Sequence, residues 1–531
     1  MGGESFDPAL GNIMTPDTYT GFFAETDLYE VKKADEPYDE LKDAFFVKAE
    51  DLPDYTEDEK VYNDDGTLKM YKKGTFIYRL SGRSRQKSAS YYTPEVLTKC
   101  LVKYALKELL KDKNADDILT FTVCEPALGS GAFLNEAINQ LAEAYLDKKQ
   151  KEIGIKIGHD DYLQEKQKVK SYIAASNVYG VDLNPIAVEL AEVSLWLNTI
   201  YTGAQVPWFG MQLVTGNSLI GARRQVFDIK LLENNNNKNK SWMDAVSDRV
   251  KLIEKRPKNT VYHFLVPDPG MAHYTDKIIR EMVPDEIKKI NEWRKSFLNP
   301  FSENEIEQLK KLSDSIDRLW ERHAEQRKSV RDRTQEQYSI FGKEDASKII
   351  NRLSIQKKDK IFYQEILSEN VRNSSPYRRL KLVMDYWCAL WFWPIYKADL
   401  LPSRDEFLME LSLILEGNVY DSVPIGETRS LFPDSISEEE YQKQVDEFGF
   451  VDVDKLCNEQ RLKLVSKLSK FYHFHHWELE FAEIFYNNEG YDLILGNPPW
   501  TKVEWQERDI LSEYNPLFVV RKENVLNLVE I

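Results

Sequence analysis

Near its carboxyl end the chain reads Tyr491-Asp492-Leu493-Ile494-Leu495, an apolar strand, then Gly496 and Asn497-Pro498-Pro499-Trp500. Two consecutive prolines fix the backbone and remove two N–H donors, so the loop presents carbonyl oxygens and the Asn497 amide in a rigid array. Trp500 adds a flat face for stacking. The arrangement suits a planar ring carrying an exocyclic amine, whose two hydrogens Asn497 Oδ1 and the Pro498 carbonyl accept.

Far upstream, Phe121 to Leu134 (FTVCEPALGSGAFL) reads as a strand, the pair Glu125-Pro126, a glycine turn and a helix that buries Phe133, Leu134, Ile138 and Leu141. Gly129 and Gly131 let the backbone approach a ligand closely, and the helix N-terminus that follows favours polar or anionic groups. From Gly180 comes GVDLNPIAVELAEVSLWL, a strand ending in Asp182, with Asn184 as N-cap and Pro185 as first helical residue. An acidic group ending a second strand is where nucleotide-binding sheets hold ribose hydroxyls. Because Asn184 fills the capping role, Asp182 is read as the freer ligand group. A third strand ends in Thr215-Gly216-Asn217-Ser218-Leu219. Three polar strand ends thus converge on one crevice.

Tyr92-Thr93-Pro94, GSGAFL, GVDLNP, GNSLIG and NPPW, in that order, resemble the amino-methyltransferases of the gamma arrangement. Within them the chain is most similar to large adenine methylases of type IIG restriction–modification and of phage-defence islands such as DISARM and BREX. The run His475-His476-Trp477-Glu478-Leu479-Glu480-Phe481 resembles that group too, and the similarity spans roughly residues 75 to 531. The resemblance implies a DNA methyltransferase that moves a methyl group from S-adenosylmethionine to adenine N6 of a base flipped out of double-stranded DNA. It implies that Tyr92, Thr93 and Pro94 hold the methionine end of the cofactor, and that Glu125, Ala127, Gly129 and Gly131 line its amino acid and sulfonium portion. Asp182 would take the ribose hydroxyls, Leu183 would lie against the cofactor adenine, and Asn217 and Ser218 would contact the adenine edge. Asn497, Pro498, Pro499 and Trp500 would hold the target base. Two positions depart from the family pattern: Glu125-Pro126-Ala127-Leu128 stands where Asp-Pro-Ala-Cys is usual, and Asn217 where Asp is usual.

The implied fold is α/β, a class I (Rossmann-like) methyltransferase sheet, incomplete, with a large mostly helical insertion. Strands are expected at Ile118 to Cys124, Val178 to Val181, Gln212 to Val214 and Tyr491 to Leu495. The expected domains are an acidic, irregular N-terminal arm (1–80), a cofactor-binding part (81–225), the insertion (226–470) and a catalytic-loop part (471–531). The insertion begins near the tract Asn234 to Asn237, and Ser302 with Glu305 forms a capping box ahead of a stripe of Ile306, Leu309, Leu312, Ile316 and Leu319. Leu517 to Val520 (LFVV) offers at most one further strand, whereas the gamma arrangement calls for three and then a target-recognition region. The reading is therefore the amino-terminal part of a longer protein, or a subunit whose partner carries specificity.

The formal net charge of the 531 residues is −17, against the basic footprint of a protein that grips duplex along its length. Basic clusters at Arg83, Arg85 and Lys87, at Arg322 to Arg333, and at Arg378, Arg379 and Lys381 are read as solvated faces. Cys100, Cys124, Cys388 and Cys457 read as four buried thiols in a reducing compartment. None follows a proline, which excludes the cytosine-C5 route with its cysteine nucleophile. His473, His475 and His476 lack acidic or cysteine partners at ligand spacing, so no metal is expected. No apolar run reaches the ~18 residues of a membrane span, and a cytoplasmic location is expected. Two other readings stay open. One is a catalytically incomplete fragment that binds cofactor or partners; the other is methylation of a different planar amine or amide, such as glutamine, guanine N2 or cytosine N4.

Overall fold

The computed structural model describes residues 13–14, 19–39, 44–80, 93–204, 206–233, 241–336, 338–343, 353–367, 373–417, 449–488, 490–498 and 516–521. They divide into two compact units, one of residues 93–497 and one that combines residues 1–92 with 498–531.

At the heart of the larger unit lies a parallel sheet of four strands: β1 (Val123–Glu125), β2 (Val178–Asp182), β3 (Leu213–Thr215) and β4 (Leu493–Ile494), in the order β4-β1-β2-β3. The register aligns Glu125 with Gly180 and Asp182 with Thr215, so the strands end along one edge. The short β4 is pinned at its start, where the Asp492 carboxylate accepts from the Thr122 N–H and hydroxyl, both at 2.8 Å. Strands β1 and β2 are almost wholly buried, as expected of parallel strands covered by helices.

Among these are α1 (Glu95–Leu109), α2 (Ala132–Ile153), α3 (His159–Ser176) and α4 (Pro185–Thr199). Helix α2 buries Phe133, Leu134, Ile138 and Leu141 at helical spacing. It starts at Gly131, whose φ of 74° is left-handed, and stops at Gly154, φ 70°. Helix α4 starts as expected, with Asn184 Oδ1 accepting from the Ile186 N–H at 3.0 Å and Pro185 in the first turn.

The long insertion, expected to be mostly helical, contains strands as well as helices. It opens on a small antiparallel sheet, Gln225–Asp228 between Asp248–Arg249 and Thr260–Tyr262. Helices follow, including α5 (Glu303–Thr334), α6 (Pro376–Ala389), α7 (Arg404–Glu416) and α8 (Gln460–Tyr472). The Ser302–Glu305 capping box is formed, and Ile306, Leu309, Leu312, Ile316 and Leu319 are buried. The asparagine tract lies outside the described residues, as do Arg83, Arg85 and Lys87.

Two basic clusters read as solvated faces each contain a buried arginine. Arg327 is 2% exposed and paired with Glu483 at 2.8 Å, and Arg379 is 1% exposed. Lys381 pairs with Asp385 at 3.1 Å. Sequence pattern alone does not separate such buried pairs from surface charge. The thiols also need correcting: Cys100 is exposed and Cys457 half-buried, while Cys124 and Cys388 are buried.

The second unit corrects the expectation of an irregular arm. Tyr19–Phe23 pairs antiparallel with Ile13–Met14 and Phe76–Leu80, and Leu28–Val31 with Phe45–Lys48 and Met70–Tyr71. The strands are of two to five residues, which leaves no long alternation to read. Leu517–Val520 is a helical turn, not a strand, and Leu517 and Val520 pack with Val31, Val47 and Tyr55. Arg521 then grips Glu59 through two hydrogen bonds of 2.8 Å. Among the described residues no helix is long and apolar enough to cross a membrane.

Candidate functional site

The carboxyl edge of the parallel sheet gathers most of the residues singled out above. After β1, Leu128 returns to pair with β2, its N–H donating to Val181 O at 3.0 Å, and its side chain sits where Gly180 has none. A Cβ at Gly180 would lie 2.7 Å from Leu128 Cδ1, so the glycine of the second motif admits the leucine of the first. Gly129 has φ 52° and nothing within 4 Å of where a Cβ would stand, so its turn faces open space.

Asp182 is more committed than the sequence reading allows. Its Oδ2 accepts from the Gly129 N–H at 2.7 Å and its Oδ1 from the Asn184 N–H at 2.8 Å. The carboxylate therefore ties the glycine turn to the start of α4, and a ligand would use its remaining lone pairs. Glu125 is 2% exposed, and its Oε2 accepts from the Leu134 N–H at 3.3 Å. Burial pushes its carboxyl well above the ordinary range against the pull of that N–H, and Asp182 adds to the rise. A cation brought against Glu125 would restore its charge.

The third strand end is fastened from outside the sheet. The Asn217 N–H donates to His473 O at 2.7 Å, and Asn217 Oδ1 accepts from the Leu219 N–H at 3.1 Å in a local turn. The Ser218 hydroxyl donates to Pro126 O, which joins the first and third strand ends. His475 N–H donates to Ile220 O at 2.8 Å, Ala222 N–H to His476 Nδ1 at 3.0 Å, and Trp477 Nε1–H to Ser218 O at 3.0 Å. His476 Nε2 meets Asp385 Oδ1 at 3.0 Å. The histidine run is thus a buckle on the 216–222 loop. A Cβ at Gly221 would lie 1.8 Å from His475 O, which accounts for the second glycine of GNSLIG. His475 is pushed down to about 3 by burial, with neighbouring positive groups adding to the drop.

At the fourth strand end Asn497 Nδ2 donates to Thr93 Oγ1 at 3.3 Å. The structure so brings together two assigned residues far apart in sequence, and the bond turns the amide oxygen to the other side of the planar group. Pro94 caps α1, its carbonyl accepting from the Leu97 and Thr98 N–H groups at 2.9 and 3.1 Å. Ala127 is half-buried and Pro498 is exposed, while Tyr92, Pro499 and Trp500 lie outside the described residues. Leu183 is 47% exposed at the end of β2. Leu219, which the sequence reading passed over, is 94% exposed beside Asn217, and an apolar residue so placed suits the face of a flat ring.

The sequence also matches known protein families. A family model described as Eco57I restriction-modification methylase matches residues 176–524, and the MmeI DNA-methyltransferase domain matches residues 103–209. The two matches overlap at β2 and α4. A putative type II restriction enzyme and methyltransferase of Methanocaldococcus jannaschii is 26% identical over 198 residues, covering 29% of this chain and 16% of that protein. The chain therefore corresponds to a small share of the relative's length. By the extent of the first match, the chain belongs to the Eco57I restriction-modification methylase family.

Proposed function

We propose that this chain methylates adenine N6 in double-stranded DNA, with S-adenosylmethionine as donor, in restriction–modification or phage defence. One observation carries the reading: polar groups of four parallel strands, Glu125, Asp182, Asn217 and Asn497, stand at one sheet edge, with the Asn497 amide fixed by Thr93. The strand order β4-β1-β2-β3 supports a class I methyltransferase sheet.

The residues fit the cofactor. Gly129 opens a space no side chain fills, and the buried Glu125 carboxyl awaits a positive group such as an amino acid ammonium. Asp182 would take ribose hydroxyls, Leu183 and Leu219 would flank the adenine ring, and Asn217 and Ser218 would meet its edge. Thr93 and Pro94, with Tyr92, would close the methionine end. When bound, S-adenosylmethionine supplies a methyl group on an electrophilic sulfonium.

Adenine's amine is a poor nucleophile because its lone pair is delocalised into the ring. Asn497 Oδ1 and the Pro498 carbonyl accept its two hydrogens and hold them out of the ring plane, which restores lone-pair character to nitrogen. Pro499 stiffens the loop and Trp500 stacks on the flipped base. Catalysis is mainly positioning.

The test is transfer of labelled methyl from S-adenosylmethionine to unmethylated plasmid, by the chain and by its Asn497→Ala variant. Label in N6-methyladenine, lost in the variant, is the expected result; label in cytosine or in neither base overturns it. A second reading, half an active site that binds cofactor and awaits a further region or a specificity subunit, draws on β4. That strand pairs only with β1 among the described residues, and Ile494 is 64% exposed. Cofactor binding without transfer would favour it.

A further inference from the structure

Helix α8 ends at the crevice rim: the residue after it, His473, is left-handed at φ 52°, and its carbonyl receives the Asn217 N–H. Lys463, Lys467, Lys470 and Phe471, spaced four, three and one apart, share one face of this helix, and all four are exposed. Neither Lys463 nor Lys467 has an acidic partner among the described residues. Lys470 acts on Asp454, but that carboxylate is already gripped by Arg378 at 2.5 and 3.0 Å. In a chain of net charge −17, where Arg461 on the same helix is tied to Glu406 and Glu410, a row of two unpaired ammonium groups and a third that shares its carboxylate is unusual.

At the end of this row Phe471 is 64% exposed. It is backed edge-on by Tyr472 at 5.0 Å, which rests against Phe392 at 4.5 Å. A large apolar ring so exposed, two residues before the His473 that fastens Asn217, is unfavourable in water and suits a stacked partner.

We propose that this face of α8 carries the phosphate backbone of one DNA strand toward the crevice, and that Phe471 enters the base stack where the target base has left it. The inference rests on the DNA-methylating reading and assigns part of the insertion the task of holding the duplex. Lysines one helical turn apart stand roughly 5–6 Å from one another, within side-chain reach of successive phosphates.

The experiment uses the whole chain. Fluorescence anisotropy with a 30-base-pair duplex, titrated over a range of NaCl, compares it with the triple variant Lys463→Gln, Lys467→Gln, Lys470→Gln. Each phosphate contact contributes about 0.9 to the slope of log K against log salt, so the slope should fall by roughly 2 to 3 while cofactor affinity stays unchanged. For Phe471→Ala, methyl transfer should drop roughly tenfold on duplex plasmid yet match the parent on heat-denatured plasmid, whose bases need no flipping. An unchanged slope in the triple variant, or equal losses on both DNA forms for Phe471→Ala, overturns the proposal and leaves the face to a protein partner. Salt-dependent binding that needs the lysines, without any methyl transfer, would uphold the track while defeating the methyltransferase reading.

Discussion

The first three strands of the parallel sheet and the fourth end at the same edge, but they hold their polar residues by different means. The ends of β1, β2 and β3 are stitched to one another: Asp182 binds the Gly129 and Asn184 N–H groups, Ser218 binds Pro126, and the 473–477 run buckles the third loop from behind. The end of β4 is held differently: it is a two-residue strand pinned at its start by Asp492 on Thr122, and Asn497 Nδ2 donates to Thr93 Oγ1. The half that would hold cofactor is thus stitched loop to loop, largely by bonds between a side chain and a main-chain group. The half that would hold the base depends on contacts between distant segments.

Substitutions can break this comparison. The largest effects belong to the two residues it opposes. Asn497→Ala should cut methyl transfer on the order of 10²–10³-fold, the scale of losing one preorganised polar group, with cofactor affinity nearly intact. Asp182→Ala should instead weaken cofactor binding about 10²-fold, since it removes a charged acceptor and frees two N–H groups. Calorimetric titration of cofactor beside turnover separates them, and similar profiles for both variants would dissolve the division of labour.

Asp492→Ala comes next. Loss of both bonds to Thr122 should cost about 2 kcal/mol and loosen β4 selectively. Hydrogen exchange should quicken at 493–495 while β2 stays protected; uniform exchange would mean the sheet responds as one body. Gly180→Ala tests the other half. Its methyl meets Leu128, so about 1–2 kcal/mol of overpacking should appear as a lower Tm, with Leu128→Ala in the same chain restoring part of the loss. The smallest effect is Thr93→Val, which keeps the shape but removes the acceptor for Asn497 Nδ2. About 1 kcal/mol, or roughly fivefold in kcat with KM for cofactor unchanged, is expected from steady-state kinetics.

The strand ends were legible because each pairs a short apolar run with polar residues and a turn, as in VYGVD and YDLILGN. The cap at Asn184 and the stripe on α5 were legible for the same reason, being local. What escaped is non-local. Nothing near Thr93 announces a bond to Asn497, and nothing in EPALGSG says that Leu128 needs a glycine at 180. Arg327 looks in sequence like its exposed neighbours on α5, yet it is buried against Glu483 on another segment. LFVV has strand propensity, but Pro516 opens a helical turn there and apolar contacts with Val31 and Val47 hold it.

The grip of Arg521 on Glu59 joins groups 462 residues apart. At ~5–20 residues per second, the strands between Leu28 and Tyr71 wait on the order of a minute for Leu517 to emerge. Folding of residues 93–497 shortens that wait in another sense, because it draws the ends of the intervening stretch, Thr93 and Asn497, within hydrogen-bonding distance. What is left to close is a loop of residues 60–92 and 498–520. By the logarithmic cost of loop closure that lowers the entropic penalty by roughly 2 kcal/mol. Prior folding of residues 93–497 would therefore lower the entropic cost of bringing Arg521 to Glu59.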